Sequence, residues 1–175
     1  MSITIYAPAP TPNDEAARER AVIASGALDA RDDAVLVDLV GQAREKLGTG
    51  MAAVSILSRD WQYLIAVSGV SSRTYSRRMS LCGHAIITPR AVFCVEDARA
   101  DPRFADNPVL IDGGQVRFYA GAPLVDSDHF PIGTFCVFDR TPRSDFGAYE
   151  QMHLKQMADA VIARLTARRD APLAR

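Results

Sequence analysis

Neither sign of charge is in excess in this chain. Twenty basic side chains stand against 21 acidic ones, a formal net charge of -1, so no surplus of positive charge is available to gather phosphates, and nucleic-acid binding is not expected. No stretch reaches the ~20 uninterrupted apolar residues that a bilayer crossing needs. The N-terminus also lacks the charged flank and apolar core of an export signal, so no membrane partner is expected and the expected compartment is the cytoplasm. Cysteine is scarce: Cys82, Cys94 and Cys136 are odd in number and form no CxxC pair, which suits a reducing compartment and buried small side chains better than a disulfide framework. Lysine is scarcer, with only Lys46 and Lys155, and we draw no function from that habit. The phosphate-cradling G-x-x-x-x-G-K-[ST], the zinc-protease H-E-x-x-H and the esterase G-x-S-x-G are all absent.

What is present is enough for one core. With 175 residues, 48% of them hydrophobic, the chain can bury roughly 70% of its unfolded surface in a single domain. Residues 1–12 carry Pro8, Pro10 and Pro12 and read as a flexible arm or one loosely added strand; residues 13–169 read as the domain, and 170–175 as a tail. From Asn13 a helix runs to Gly26 with Glu15, Arg18, Glu19 and Arg20 on a mixed-charge face. Asp32 or Asp33 caps a second helix, in which Val35, Leu36, Leu39, Val40, Ala43 and Leu47 make an apolar stripe that Gly48 ends.

Met51–Leu57 and Trp61–Val67 read as a hairpin around the three-residue loop Ser58-Arg59-Asp60. Ser68–Ser80 is polar and reads as a surface connection, Leu81–Ile87 as one or two helical turns, and Ala91–Val95 as a buried strand. A short helix is expected between Asp101-Pro102 and Asn107-Pro108. Val116–Val125 and Ile132–Asp139 are the strongest strand signals and form a second hairpin over Asp126-Ser127-Asp128-His129. Ser144 or Asp145 then opens the longest helix, striped by Leu154, Met157, Ala158, Val161, Ile162 and Leu165, with Arg164, Arg168 and Arg169 at its negative end. Strands grouped in hairpins with helices at both chain ends describe an α+β domain: an antiparallel sheet of five or six strands, terminal helices on one face, and short helices and loops over a pocket on the other.

Several residue sets can be read for chemistry. Gly48-Thr49-Gly50-Met51-Ala52-Ala53 has the letters of a dinucleotide loop but follows a helix and precedes a strand, the reverse of that geometry. Cys82, His84, Cys94 and Cys136 lack the close pairing of a zinc site, so no metal is expected. Cys82 and His84 point apart on one short helix, which makes a poor nucleophile–base pair, and Ser80, His84 and Asp97 lack the nucleophile turn of a hydrolytic triad. Asp97 and Asp101 can each accept backbone N–H groups, and Arg103 can bridge to one of them, fixing the loop that holds Phe104 across the open face of the sheet or lending it to a ligand. Arg117, Tyr119 and Gly121 share one strand face and Phe118, Ala120 and Ala122 the other. Two readings stay open at this point: Arg117 and Tyr119 look into a cavity beside Phe104, or they face a loop carboxylate and are architectural.

Asp97-Ala98, Asp101-Pro102-Arg103-Phe104, Asn107-Pro108, Val116-Arg117-Phe118-Tyr119-Ala120-Gly121-Ala122-Pro123-Leu124 and Ile132-Gly133-Thr134-Phe135-Cys136-Val137, with Ser80-Leu81-Cys82-Gly83-His84 before them, resemble a GAF domain over about residues 16–166. The likeness is to the modules at the front of bacterial sensor histidine kinases and diguanylate cyclases. It implies a cavity for a small regulator such as a cyclic nucleotide, a bilin or haem, and end helices that pass occupancy to a partner. The Asn-Lys pair of cyclic-nucleotide binders and the bilin-linking cysteine are absent, so no cofactor is assigned. His129 also stands where the hairpin turn usually has Gly.

The expectation is therefore a non-catalytic small-molecule sensor, free-standing or an input domain for a kinase or cyclase, and a homodimer through its terminal helices. The alternatives are a thiol-dependent reductase of the free methionine sulfoxide type and an interaction domain without ligand. The candidate ligand-binding residues are Cys82, His84, Asp97, Phe104, Arg117 and Tyr119.

Overall fold

The structure, a computed structural model, describes residues 5–111 and 116–172. Helix α1, Glu15–Ser25, ends at Gly26, whose φ of 65° is left-handed. Helix α2, Ala34–Leu47, starts at Asp33, which accepts from the amides of Val35 and Leu36, so of the two expected caps Asp33 is the one in use. Strands β1, Met51–Ser58, and β2, Trp61–Ser68, are joined by only Arg59 and Asp60, because Ser58 pairs with Trp61. The hairpin loop is thus one residue shorter than its sequence suggests, and Arg59 takes a left-handed φ of 52° to close it.

The polar connection after β2 contains a strand, β3, Thr74–Ser76, which pairs with the start of β2. Helix α3, Leu81–Ala85, and strand β4, Phe93–Val95, follow as expected. The helix expected between Asp101 and Asn107 is instead a run of turns, in which the Asp101 side chain accepts from the Arg103 amide at 2.9 Å. Asn107 starts a helix rather than ending one: its side chain accepts from the Val109 amide at 3.1 Å, and α4, Pro108–Ile111, begins at the proline.

Strands β5, Phe118–Val125, and β6, Pro131–Asp139, form the second hairpin, with His129 at φ 68° in the turn where a glycine was anticipated. Helix α5, Ala148–Asp170, begins later than Ser144 or Asp145. Asp145 is occupied by Arg143 at 2.7 Å, and the Glu150 carboxylate accepts from the Gly147 amide at 2.9 Å instead.

Among the described residues six strands form one antiparallel sheet, in the order β3-β2-β1-β6-β5-β4. The alternation along β5 sorts the molecule into two layers. Phe118, Ala120, Ala122 and Leu124 face α1, α2 and α5 with Val22, Leu36, Val40, Leu154 and Val161; Tyr119 faces the other way, with Ala53, Leu57, Leu64 and Cys136, toward α3 and the loops. The three longer helices therefore cover one face and leave the reverse to short elements. Residues 5–12 form no strand. Ala7 and Ala9 donate to the carbonyls of Arg103 and Arg78, each at 2.8 Å, so this segment crosses the loop layer. Residues 1–4, 112–115 and 173–175, including parts of the expected arm and tail, lie outside the described residues. Among the described residues no helix is long and apolar enough to cross a membrane.

Candidate functional site

A cavity of about 70 Å³ opens on the loop-covered face, lined by Gln62, Tyr75, Ser80, Cys82, Tyr119 and Cys136 among others. Ser80 caps α3 by accepting from the Gly83 amide at 2.8 Å, which sets Cys82 in the first turn, facing the sheet. At Gly121 an added Cβ would collide with the ring and hydroxyl of Tyr119, so its absence lets that ring lie back along β5. The Tyr119 hydroxyl then donates to the Cys82 sulfur at 3.1 Å, and the Gln62 amide donates to the same atom at 3.3 Å. The Cys136 sulfur lies 3.9 Å from that of Cys82. Beneath them Ser55 and Thr134 stand opposite each other in the β1–β6 register, both with zero exposure.

Among the described residues neither hydroxyl of that pair meets a partner at good hydrogen-bond geometry, yet both lie close enough to the Cys82 sulfur to favour its thiolate. Burial pushes the Cys82 thiol up, but hydrogen bonding with Cys136, Thr134, Tyr119 and Ser55 outweighs it and holds Cys82 below the ordinary thiol range. Its neighbour bears the opposite effect: the hydrogen bond with Cys82, then burial, pushes the Cys136 thiol well up. Burial and the adjacent sulfurs raise Tyr119 likewise, so its hydroxyl stays a donor. The chamber is thus apolar walls around one sulfur on which polar donors converge. At about 70 Å³ it holds a molecule of a few heavy atoms, well short of the ~300–1,000 Å³ of pockets for drug-sized ligands.

Of the six residues expected at the site, the structure brings two together there, Cys82 and Tyr119. Arg117 makes a two-pronged pair with Asp97, at 2.7 and 2.5 Å, and its amide donates to the Asp139 carbonyl. That settles the open choice: Arg117 faces the loop carboxylate while Tyr119, on the same strand face, lines the cavity. The Arg117 guanidinium holds the Asp97 carboxyl below its usual range. His84 points away from Cys82, with Nε2 3.1 Å from the Ala7 carbonyl and its ring edge-on to Phe104. Burial lowers its pKa. Phe104 is buried under Arg103, which bonds Asp101 rather than Asp97.

Gln62, Ser55 and Thr134 are site residues that the sequence reading missed. The available signal was a polar residue at an inward position of an otherwise apolar strand: Gln62 shares its face of β2 with Leu64, and Ser55 sits in a strand buried along its whole length.

The GAF domain family model matches residues 14–165. A curated relative, the cyclic di-GMP phosphodiesterase PA2567 of Pseudomonas aeruginosa, is 37% identical over 156 residues, which cover 89% of this chain but only 26% of that protein. The GAF domain of an Acinetobacter phosphoenolpyruvate-protein phosphotransferase superposes with a TM-score of 0.65 at 16% identity, covering 94% of this chain and all (100%) of that one. The free methionine-R-sulfoxide reductase of Neisseria meningitidis does so with a TM-score of 0.65 at 20% identity, covering 98% and 100%; at such identities these likenesses show the fold.

Proposed function

The chain belongs to the GAF domain family, and from that premise we propose that it is a regulatory domain of bacterial signal transduction that senses a small molecule. The observation that carries this reading is the chamber, apolar but for a few polar groups such as those of Gln62, Cys82 and Tyr119, on the sheet face that the long helices leave uncovered. Its size and lining select a molecule of a few heavy atoms that hydrogen-bonds with Tyr119 and Gln62. The response leaves by the reverse face: Tyr119 and Cys136 alternate along β5 and β6 with Phe118, Phe135 and Val137, which pack beneath the helices.

The relative at 37% identity is named as a cyclic di-GMP phosphodiesterase, and the chain spans only 26% of it. We therefore place the domain upstream of a catalytic module of nucleotide signalling, a phosphodiesterase, cyclase or kinase, and expect it to act as a homodimer through its terminal helices. Native mass spectrometry of protein purified from its own host tests the sensing role. A co-purified small mass that disappears in Gln62→Leu is the expected result. Turnover of free methionine sulfoxide that is lost in Cys82→Ser would replace this reading with the reductase one.

A further inference from the structure

We propose that Cys82 and Cys136 form a hydroperoxide-reactive thiol pair, in which Cys82 is the attacking sulfur and Cys136 the resolving one. This rests on the reading of the chamber as the sensing site and names the chemistry that it senses. Four observations converge. The two sulfurs lie 3.9 Å apart inside the fold, so closing a bond requires an approach of about 2 Å to the normal S–S length. Two donors, the Tyr119 hydroxyl at 3.1 Å and the Gln62 amide at 3.3 Å, are aimed at the sulfur of Cys82, an arrangement that packing alone does not call for and that stabilises a thiolate. Ser55 and Thr134 add two fully buried hydroxyls close to the Cys82 sulfur, with no other partner among the described residues, where they favour its thiolate. The chamber touching both sulfurs, about 70 Å³, admits a molecule the size of hydrogen peroxide and excludes bulky ones.

The chemistry balances with the peroxide as the sole oxidant. The Cys82 thiolate attacks one peroxide oxygen, an S–O bond forms as the O–O bond breaks, and sulfur gives up two electrons. The departing alkoxide or hydroxide takes a proton and leaves as alcohol or water. The Cys136 sulfur then attacks Cys82, the S–O bond breaks, and the hydroxyl leaves as water with the proton of the Cys136 thiol. Two thiols and one hydroperoxide become a disulfide, an alcohol (or water) and a water. Cys94, half-buried and pushed up by burial and by Glu96, takes no part.

The test treats the reduced full chain with one equivalent of hydrogen peroxide and, separately, of cumene hydroperoxide, and follows intact mass and peptide maps without reductant. The expected result is the loss of two hydrogens with a Cys82–Cys136 cross-linked peptide, faster for the small peroxide. Cys136→Ser should stop at a sulfenic acid on Cys82 that dimedone traps, and Tyr119→Phe, which keeps the ring packing, should slow the first step about ten-fold or more. A full set of free thiols after treatment, a cross-link through Cys94, or an unchanged rate in Tyr119→Phe overturns the assignment. Inert thiols in a protein that still carries a co-purified small molecule would leave the sensing role standing and remove only its thiol chemistry. If peroxide closes the pair in protein that carries no such molecule, the thiol assignment stands, and a non-covalent ligand is what is lost.

Discussion

Two buried charged residues hold helices to the sheet layer and to each other, and both can be tested singly. Arg18 is 1% exposed and has no spare donor: it bonds Glu15 twice and Glu19 once, and reaches the carbonyls of Leu57 at 2.8 Å and Pro131 at 3.3 Å. A guanidinium so placed ties α1 to the end of β1 and the start of β6. In sequence it looks like one more member of a solvated, mixed-charge face, because letters show charge but not the carbonyls that neutralise it. Asp33 performs a comparable task between α2 and α5, capping the first and accepting from Arg164 at 2.8 and 3.0 Å and from Arg168 at 2.8 Å. The Arg164 hydrogen bonds, ahead of the opposing effect of burial, lower the Asp33 pKa from 3.8 to about 2, while its side chain is only 3% exposed. A carboxylate depressed in the folded state contributes stability above its unfolded pKa and loses it as the pH falls through the folded one. The contribution of about 2 kcal/mol should therefore be intact at neutral pH and disappear between about pH 4 and pH 2. Urea midpoints measured across that window should show the decline, and Asp33→Asn should flatten it while lowering stability at pH 7 by about 2 kcal/mol.

At the scale of elements, β1 and β6 are the pair on which both layers depend, and Gly133 marks their tightest approach. A Cβ there would run into the Ser55 carbonyl and the backbone of Ile56, groups with no freedom to yield because they belong to the neighbouring strand. Gly133→Ala should cost about 3 kcal/mol, visible as a lowered denaturant midpoint with little change in slope; an unchanged midpoint would show that the strands separate easily there. Alternation made β5 and β6 plain in the sequence, and with them the side of the sheet that Tyr119 occupies. Three-residue β3 carried too few positions to show any period, and the Asp101 and Asn107 caps signalled a helix that the short stretch between them could not complete against the competing side-chain turn at Asp101. The cavity floor was hidden for a different reason. Gln62, Ser55 and Thr134 are single polar residues at inward strand positions, and only the pairing of β1 with β2 and β6 brings the three together.

For the whole molecule the layering has a mechanical consequence. Cys136 and Tyr119 share their strands with Val137, Phe135 and Phe118, so a change in the chamber that shifts β5 or β6 must move side chains beneath α5. The proposed homodimer would register that movement as a shift between two helical layers. The helical layer carries apolar side chains on its outer surface, with Ile23 of α1 69% exposed and Tyr149 and Met152 of α5 at 61% and 49%, and the proposed second copy of the chain would cover part of them. Light scattering at micromolar concentration should return twice the mass of one chain, and Ile23→Glu should return a single chain mass without loss of helix content. A wild-type monomer under those conditions would remove the helical layer as the route out and leave the exposed edges β3 and β4 to carry the response.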